Sequence, residues 1–344
     1  MKPAFTDLAG NEALKKRLCD DILSDRLTHA YLIEGAPGTG KHALALRIAA
    51  ALACENKAKQ NLPLPCTVCP ACRKILSGNH PDVSVIGRQD KATLGVDVIR
   101  EMQADTVIAP NESENKIYII EDAHLLTVQA QNAFLLTLEE PPSYVRFFLL
   151  CESTAPLLET IRSRVITLRT ESIDQSTMDA WLTEHNAAAR ALKNANPDEF
   201  RELLAASGGS IGQALSLTDA KTRRSVLELR EGAKEFLNLF SGNRNSGAVL
   251  SYFAAFGQKR EDILQRLRQI LIALRDLLVL KQSESAPLCF FATREEATSL
   301  AFRFSSPELF RLCDAIESAT EDLRRNANVR LTLTRLAMQA GLLN

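Results

Sequence analysis

Between residues 29 and 170 the sequence alternates two kinds of segment. Short apolar or β-branched runs, AYLIEG, DVSVIG, KIYIIED, VRFFLLCES and RVITLR, are separated by stretches with helical patterning, KHALALRIAAALAC, VDVIREMQADTV and TVQAQNAFLLTLEE. Strands that alternate with helices return to one sheet in parallel, so the pattern predicts an α/β module, a parallel sheet flanked by helices. After Thr170 the strand signals stop. Residues 171–221 read as short helices broken at Asn196-Pro197 and at Ser207-Gly208-Gly209, and 222–344 read as helical throughout. The clearest segment there sets Ile263, Leu264, Leu267, Ile270, Leu271, Leu274, Leu277 and Leu278 on one face, as a core-facing helix of a bundle does, with Arg266, Arg268, Arg275 and Asp276 interrupting the run. The expected domains are therefore 1–170, 171–221 and 222–344, which fits a chain of 344 residues at roughly 150 residues or fewer per domain.

Charge and hydropathy remove several classes of function. Forty-one Lys and Arg stand against 42 Asp and Glu, for a net charge of −1, so no whole-molecule positive field draws the chain onto nucleic acid. The first residues, MKPAFTDLAGNEALKKRL, lack the apolar core of a signal peptide, and no uncharged apolar run of about 18 residues follows. The expected location is the cytoplasm, where the eight cysteines are thiols or metal ligands rather than disulfides.

Residues 35–42, GAPGTGKH, come close to the phosphate-loop pattern G-x-x-x-x-G-K-[ST]. Tyr31–Glu34 is the expected strand and Lys41 the start of the expected helix. Gly35, Gly38 and Gly40 let backbone N–H groups turn toward a phosphate, the helix N-terminus adds partial positive charge, and Lys41 can reach the β and γ phosphates of ATP or ADP. His42 breaks the pattern. The residue after the lysine normally gives a hydroxyl oxygen to Mg²⁺, and an imidazole is a poor ligand for so hard a cation. The second element of such a site is an apolar strand ending in two carboxylates, one for the metal's shell and one to polarise water. KIYIIED supplies it, with Lys116 before the strand and Glu121 and Asp122 at its end, but the usual order is Asp then Glu. The exchange of long and short side chains would misplace both charges by about 1 Å, an error that can cost ~100-fold in rate.

Cys66, Cys69 and Cys72 follow a C-x₂-C-x₂-C spacing, and Cys54 lies twelve residues before the first. Four thiolates suit tetrahedral Zn²⁺ with no open position, which is a structural rather than a catalytic site. The excursion between Cys54 and Cys66 carries Pro63 and Pro65 and few large apolar residues, so the metal is expected to stabilise its fold-back; structural zinc contributes on the order of 10–16 kcal/mol in small modules. Cys19, Cys151, Cys289 and Cys313 lie in or beside apolar segments and read as small core residues.

Taken together, FTDLAGNEALKKRL, LTHAYLIEGAPGTGK, the cysteine cluster, NHPDVSVI, KIYIIEDAHLLTVQAQNAFLLTLEEPP, IRSRV, GGSIGQAL and NANVRLTLTRLA make the chain resemble the AAA+ clamp-loader subunits of bacterial DNA polymerase III over nearly its whole length. The resemblance implies an AAA+ module over 1–170 with a zinc module at 54–72, a helical lid over 171–221 and an all-α collar over 222–344 that joins subunits. It implies that Arg164, in IRSRV, is a finger inserted into a neighbour's ATP site. The chemistry fits a rigid, always-charged fork at a developing phosphate charge, which can supply ~10³–10⁵ in rate. This chain has Val165 where the family usually shows cysteine. Active members carry arginine in the fourth place of G-S-x-R-x-A, where this chain has Gly212, so the resemblance points to a non-motor subunit whose own hydrolysis is absent or weak. Its implied partners are motor subunits, a clamp-opening subunit, the sliding clamp and primed DNA. Two other readings stand beside it: an ATP-hydrolysing motor subunit of the same loader, favoured by Lys41 and the intact glycines, and a zinc-dependent DNA-binding adapter, which the balanced charge opposes.

Overall fold

The structure is a computed structural model that describes residues 3–87, 93–240, 246–283 and 288–341. It divides into two compact units, residues 1–173 with 210–212, and residues 174–209 with 213–344.

The first unit runs α1 (Glu12–Leu23), β1 (Ala30–Glu34), α2 (Lys41–Leu52), α3 (Pro70–Leu76), β2 (Val83–Ile86), α4 (Val96–Thr106), β3 (Lys116–Ile120), α5 (Val128–Glu139), β4 (Val145–Cys151), α6 (Glu159–Arg162) and β5 (Ile166–Arg169). The five strands form one parallel sheet in the order β2-β3-β4-β1-β5. The alternation read from the sequence therefore produces the predicted α/β layer. Successive side chains of a strand point to opposite faces. Tyr31 and Ile33 of β1, Ile117 and Ile119 of β3, and Phe148 and Leu150 of β4 enter one core with α1, α2 and α3. Leu32, Tyr118, Ile120, Phe147 and Leu149 enter the opposite core with α4, α5 and α6. Both faces of the sheet are covered, which is why its central strands read as unbroken apolar runs.

Lys116, expected before the strand, is its first residue and is buried. Its ammonium is satisfied by the Asp105 carbonyl at 2.7 Å and the Asp105 carboxylate at 2.9 Å. The NHPD turn gives Asp82, fully buried, whose carboxylate accepts the N–H groups of Asn111, Glu112 and Ser113 at 2.6–2.9 Å and fixes the loop entering β3.

The second unit is helical: α7 (Gln175–His185), α8 (Ala187–Ala195), α9 (Pro197–Ala206), α10 (Ile211–Ser216, from Gln213 on), α11 (Ala220–Phe240), α12 (Ser246–Ala254), α13 (Arg260–Gln282), α14 (Arg294–Ala301), α15 (Ser306–Arg324) and α16 (Val329–Gly341). Local chemistry sets the boundaries. Asp174, Asn186 and Asn196 each cap a helix through a side-chain oxygen, with Pro197 opening α9, and Ser305 and Glu308 form a reciprocal capping box on α15. The predicted apolar face of α13 is observed, with Ile263, Leu267, Ile270, Leu274 and Leu277 buried against α11 and α15. Asp276, one of the charges that interrupts this run, is itself fully buried. It accepts the N–H groups of Cys289 and Phe290 at 2.8 and 2.7 Å. Arg230 of α11 donates to the Phe290 carbonyl and lies over its ring, 4.5 Å from the centroid. No described helix is long and apolar enough to cross a membrane.

Candidate functional site

Three glycines of the 35–42 segment are structural necessities. Gly38 and Gly40 adopt φ of 73° and 89°, in the left-handed region that side chains disfavour. A Cβ on Gly35 would stand 2.1 Å from Thr170 Oγ1. The loop is tied from outside: Thr39 Oγ1 bonds the Ala36 carbonyl and Thr170 Oγ1, each at 2.9 Å. The Gly38 carbonyl accepts the Gly212 N–H at 3.1 Å, and a Cβ at 212 would come within 3.3 Å of Gly38 Cα. Gly212 is thus a position of close backbone approach as well as a place where arginine is lacking. Thr39 and Thr170 carry no motif signature, so the sequence reading missed them.

Lys41 opens α2 and folds over the loop, donating to the carbonyls of Gly35 and Ala36 at 2.7 and 2.9 Å. Burial holds its ammonium below the ordinary lysine range, and the charges of Glu152, Cys151 and Asp122 only partly offset this.

The two departures that the sequence presents separately meet in space. His42 Nδ1 lies 2.7 Å from Glu121 Oε1, across the gap between the start of α2 and the end of β3. A carboxylate oxygen only accepts, so Nδ1 carries the hydrogen of this bond and has no lone pair for a metal. Gly87, at the end of β2, leaves room for the other Glu121 oxygen, which would sit 3.1 Å from a Cβ there. Asp122 adopts φ 49° and begins the 3₁₀ turn Ala123–Leu125.

Arg164 follows α6, where its Nη2 pairs with Oε1 of Glu139, the last residue of α5, at 2.7 Å, and Nη1 donates to the Thr160 carbonyl at 2.9 Å. Both side chains remain partly exposed, at 35% and 46%. An exposed pair of this kind is worth about 0.2–1 kcal/mol, too little to hold the guanidinium against a desolvated phosphate. The segment leading to Arg164 is anchored by buried Gln131, which bonds the carbonyls of Leu126 and Pro156 and accepts the Leu158 N–H at 2.7 Å.

The four cysteines Cys54, Cys66, Cys69 and Cys72 converge, their sulfurs all within 4.8 Å of one another and all four residues buried. Cys54 lies just past the end of α2, while Cys69 caps α3. Backbone N–H groups aim at sulfur, Cys69 to Cys66 Sγ and Cys72 to Cys69 Sγ at 3.4 Å, joined by the Asn56 amide on Cys66 Sγ at 3.4 Å. Burial alone would raise the Cys66 thiol, but the Asn56 amide and the N–H groups of Cys69 and Val68 outweigh it and bring it down to about 6. Burial raises the Cys54 and Cys72 thiols. This set can hold a tetrahedral metal ion: four soft donors, no open side, and N–H groups placed to stabilise thiolate charge. The excursion folds back as well, with Leu64 exchanging hydrogen bonds with Pro3 and Phe5.

A parallel five-stranded sheet with a phosphate loop after β1 and strand-end carboxylates after β3, followed by an all-helical region, defines a protein of the AAA+ class. Residues 10–174 match the family model described as DNA polymerase III, delta subunit. Among curated proteins, the chain is 33% identical over 215 residues to DNA polymerase III subunit tau of Salmonella typhimurium, covering 62% of this chain and 32% of that one. It is 33% identical over 210 residues to subunit delta′ of Pseudomonas aeruginosa, covering 61% of each, and 27% identical over 327 residues to subunit delta′ of Bacillus subtilis, covering 94% of each. The chain spans only about a third of the length of the Salmonella tau relative. By these matches the chain is similar to DNA polymerase III subunits of the delta′ and tau kinds.

Proposed function

We propose that this chain is a delta′-like, non-motor subunit of the polymerase III clamp loader, active in the cytoplasm and working in trans. Arg164 enters the ATP site of a neighbouring motor subunit of the gamma/tau kind, and the product of the cycle is a sliding clamp loaded on primed DNA. In this reading residues 171–221 act as the lid and 222–344 as the collar that joins the motor subunits and the clamp-opening delta subunit. The four cysteines hold a structural Zn²⁺ at the edge of the AAA+ module, with no part in catalysis.

The observation that carries the reading is the His42–Glu121 hydrogen bond. In a hydrolysing site the residue after the lysine and a strand-end carboxylate both serve the Mg²⁺ that neutralises the β and γ oxygens. Here the two bond each other, and the arginine that would come from the lid is Gly212. The chain's own site therefore lacks its metal placement and its lid charge, while Arg164 remains at the surface with a weak partner to leave.

The test uses the reconstituted loader with its motor subunits, clamp opener, clamp and primed DNA. Arg164→Ala in this chain is expected to lower DNA-stimulated ATP hydrolysis at least tenfold, for a loss of about 1.4 kcal/mol or more in transition-state stabilisation. Lys41→Ala is expected to leave the rate unchanged. Tau relatives match as well as delta′ relatives do, so the second reading is a motor subunit. A collapse of the rate in Lys41→Ala equal to that in Arg164→Ala would establish the motor reading and remove the first.

A further inference from the structure

We infer that the phosphate loop of this chain binds a nucleoside diphosphate without a divalent cation, and that the His42–Glu121 pair is what makes the cation dispensable. The inference rests on the reading of the site as silent in hydrolysis and adds to it what the site holds and how.

The loop keeps the residues that grip a phosphate through hydrogen bonds. Gly38 and Gly40 keep their left-handed turns, and Lys41 keeps its ammonium on the loop, where a phosphate would take the place of the Gly35 and Ala36 carbonyls it now bonds. The loop's shape is also set from outside by Thr39, Thr170 and Gly212, so little ordering remains to be done when a ligand arrives.

What the loop has lost is the metal's place. Mg²⁺ demands oxygen ligands in near-ideal octahedral geometry at about 2.0–2.1 Å. His42 Nδ1 spends its hydrogen on Glu121 Oε1 at 2.7 Å, so this nitrogen offers no lone pair to a metal where the pattern would place a hydroxyl oxygen. The Glu121 carboxylate is also turned toward the imidazole, with Gly87 making room for its second oxygen. The pair ties the start of α2 to the end of β3.

The absence of a metal discriminates between nucleotides by charge. A β-phosphate sits within reach of Lys41 and the loop N–H groups, which compensate it. A γ-phosphate extends toward the strand-end acids Glu121 and Asp122, and with no dication between them like charges face each other at short range. The diphosphate is therefore the ligand the site favours.

The test is nucleotide binding by the full chain, with fluorescently labelled ADP and ATP, measured in excess EDTA and again in excess Mg²⁺. Lys41→Ala serves to identify signal that comes from the loop, and His42→Thr as the variant that restores the metal's hydroxyl. His42 is half exposed, so the substitution leaves the core untouched. The expected result is ADP binding that is lost in Lys41→Ala, is the same with EDTA and with Mg²⁺, and exceeds ATP binding. In His42→Thr, Mg²⁺ is expected to tighten binding about tenfold, or 1.4 kcal/mol. The inference is overturned if Mg²⁺ tightens binding to the wild-type chain as much as to His42→Thr, or if the wild-type loop binds neither nucleotide. In the second case the non-motor reading survives, since it falls only on the hydrolysis rates of the reconstituted loader.

Discussion

Single residues decide the chemistry of the phosphate loop. His42 and Glu121 were each legible in the sequence as departures from a pattern, but the pattern is one-dimensional and 79 positions separate them in it, from 42 to 121. Only folding brings Nδ1 within 2.7 Å of Oε1 and turns two defects into one bond. Gly35 illustrates the opposite case, a residue whose need was visible from the motif but whose reason was not. Its missing Cβ is required by Thr170, whose Oγ1 and carbonyl would lie 2.1 and 2.9 Å from it. Gly35→Ala is accordingly expected to destabilise the first unit by about 1–3 kcal/mol through overpacking, read as a lower urea midpoint with an unchanged slope. Asp276 is a third kind. Written beside Arg275 in an otherwise apolar helix, it reads as one more surface charge, whereas its carboxylate is the buried acceptor for the chain entering Phe290. Asp276→Ala takes the acceptor from the N–H groups of Cys289, Phe290 and Phe291, and a loss of about 3 kcal/mol in the unfolding free energy is expected from denaturant titration.

At the scale of elements the sequence was more generous. Strand and helix periods, the Asn196-Pro197 and Ser207-Gly208-Gly209 breaks and the apolar stripe of α13 all follow from local chemistry, and the structure reproduces them. Strand order is different in kind, since nothing in a strand's own residues says which strand it will lie against. On the proposed reading the cysteine module borrows its stability from a metal. Purified chain is expected to carry about one zinc per polypeptide by metal analysis, and the Cys66→Ser, Cys69→Ser double variant none, with loss of protection from proteolysis between residues 54 and 72. A folded wild-type chain free of metal would sink this assignment. The loops held by aspartates make a further prediction. Burial works against the Asp82 charge, but the N–H groups of Asn111, Glu112 and Ser113 outweigh it and hold the carboxyl below the usual aspartate range. Hydrogen bonds from the Ser176 and Thr177 side chains and from the Thr177 N–H do the same for Asp174 at the start of α7. A carboxyl depressed in the folded state stabilises fully above its ordinary pKa of about 3.9 and loses that contribution as pH falls through the depressed value. Thermal midpoints should thus be insensitive to these groups near neutrality and fall below about pH 4, and Asp82→Asn should flatten that fall.

For the whole molecule, the class of protein was legible because its markers are spread over the chain and each has a physical job: glycines for turns, carboxylates at a strand end, thiols for a metal. The proposed relation between a silent site and an arginine acting in trans is legible from no one of them. The strand order carries one more consequence, which concerns time rather than energy. β1 is the first strand to leave a ribosome, yet its partners are β4 and β5, with Ala30 set beside Phe147 and Tyr31 beside Ile166. The phosphate loop hangs from the end of that strand, and Thr170, which braces it, comes later still. Newly made chain must therefore carry the apolar residues of β1 without their strand partners through the synthesis of more than a hundred further residues, about 5–20 s at ordinary bacterial elongation rates. During that interval the nascent protein is a natural client for whatever shields exposed strands, and its loop at 35–42 gains its Thr170 brace only once about half of the chain has been made.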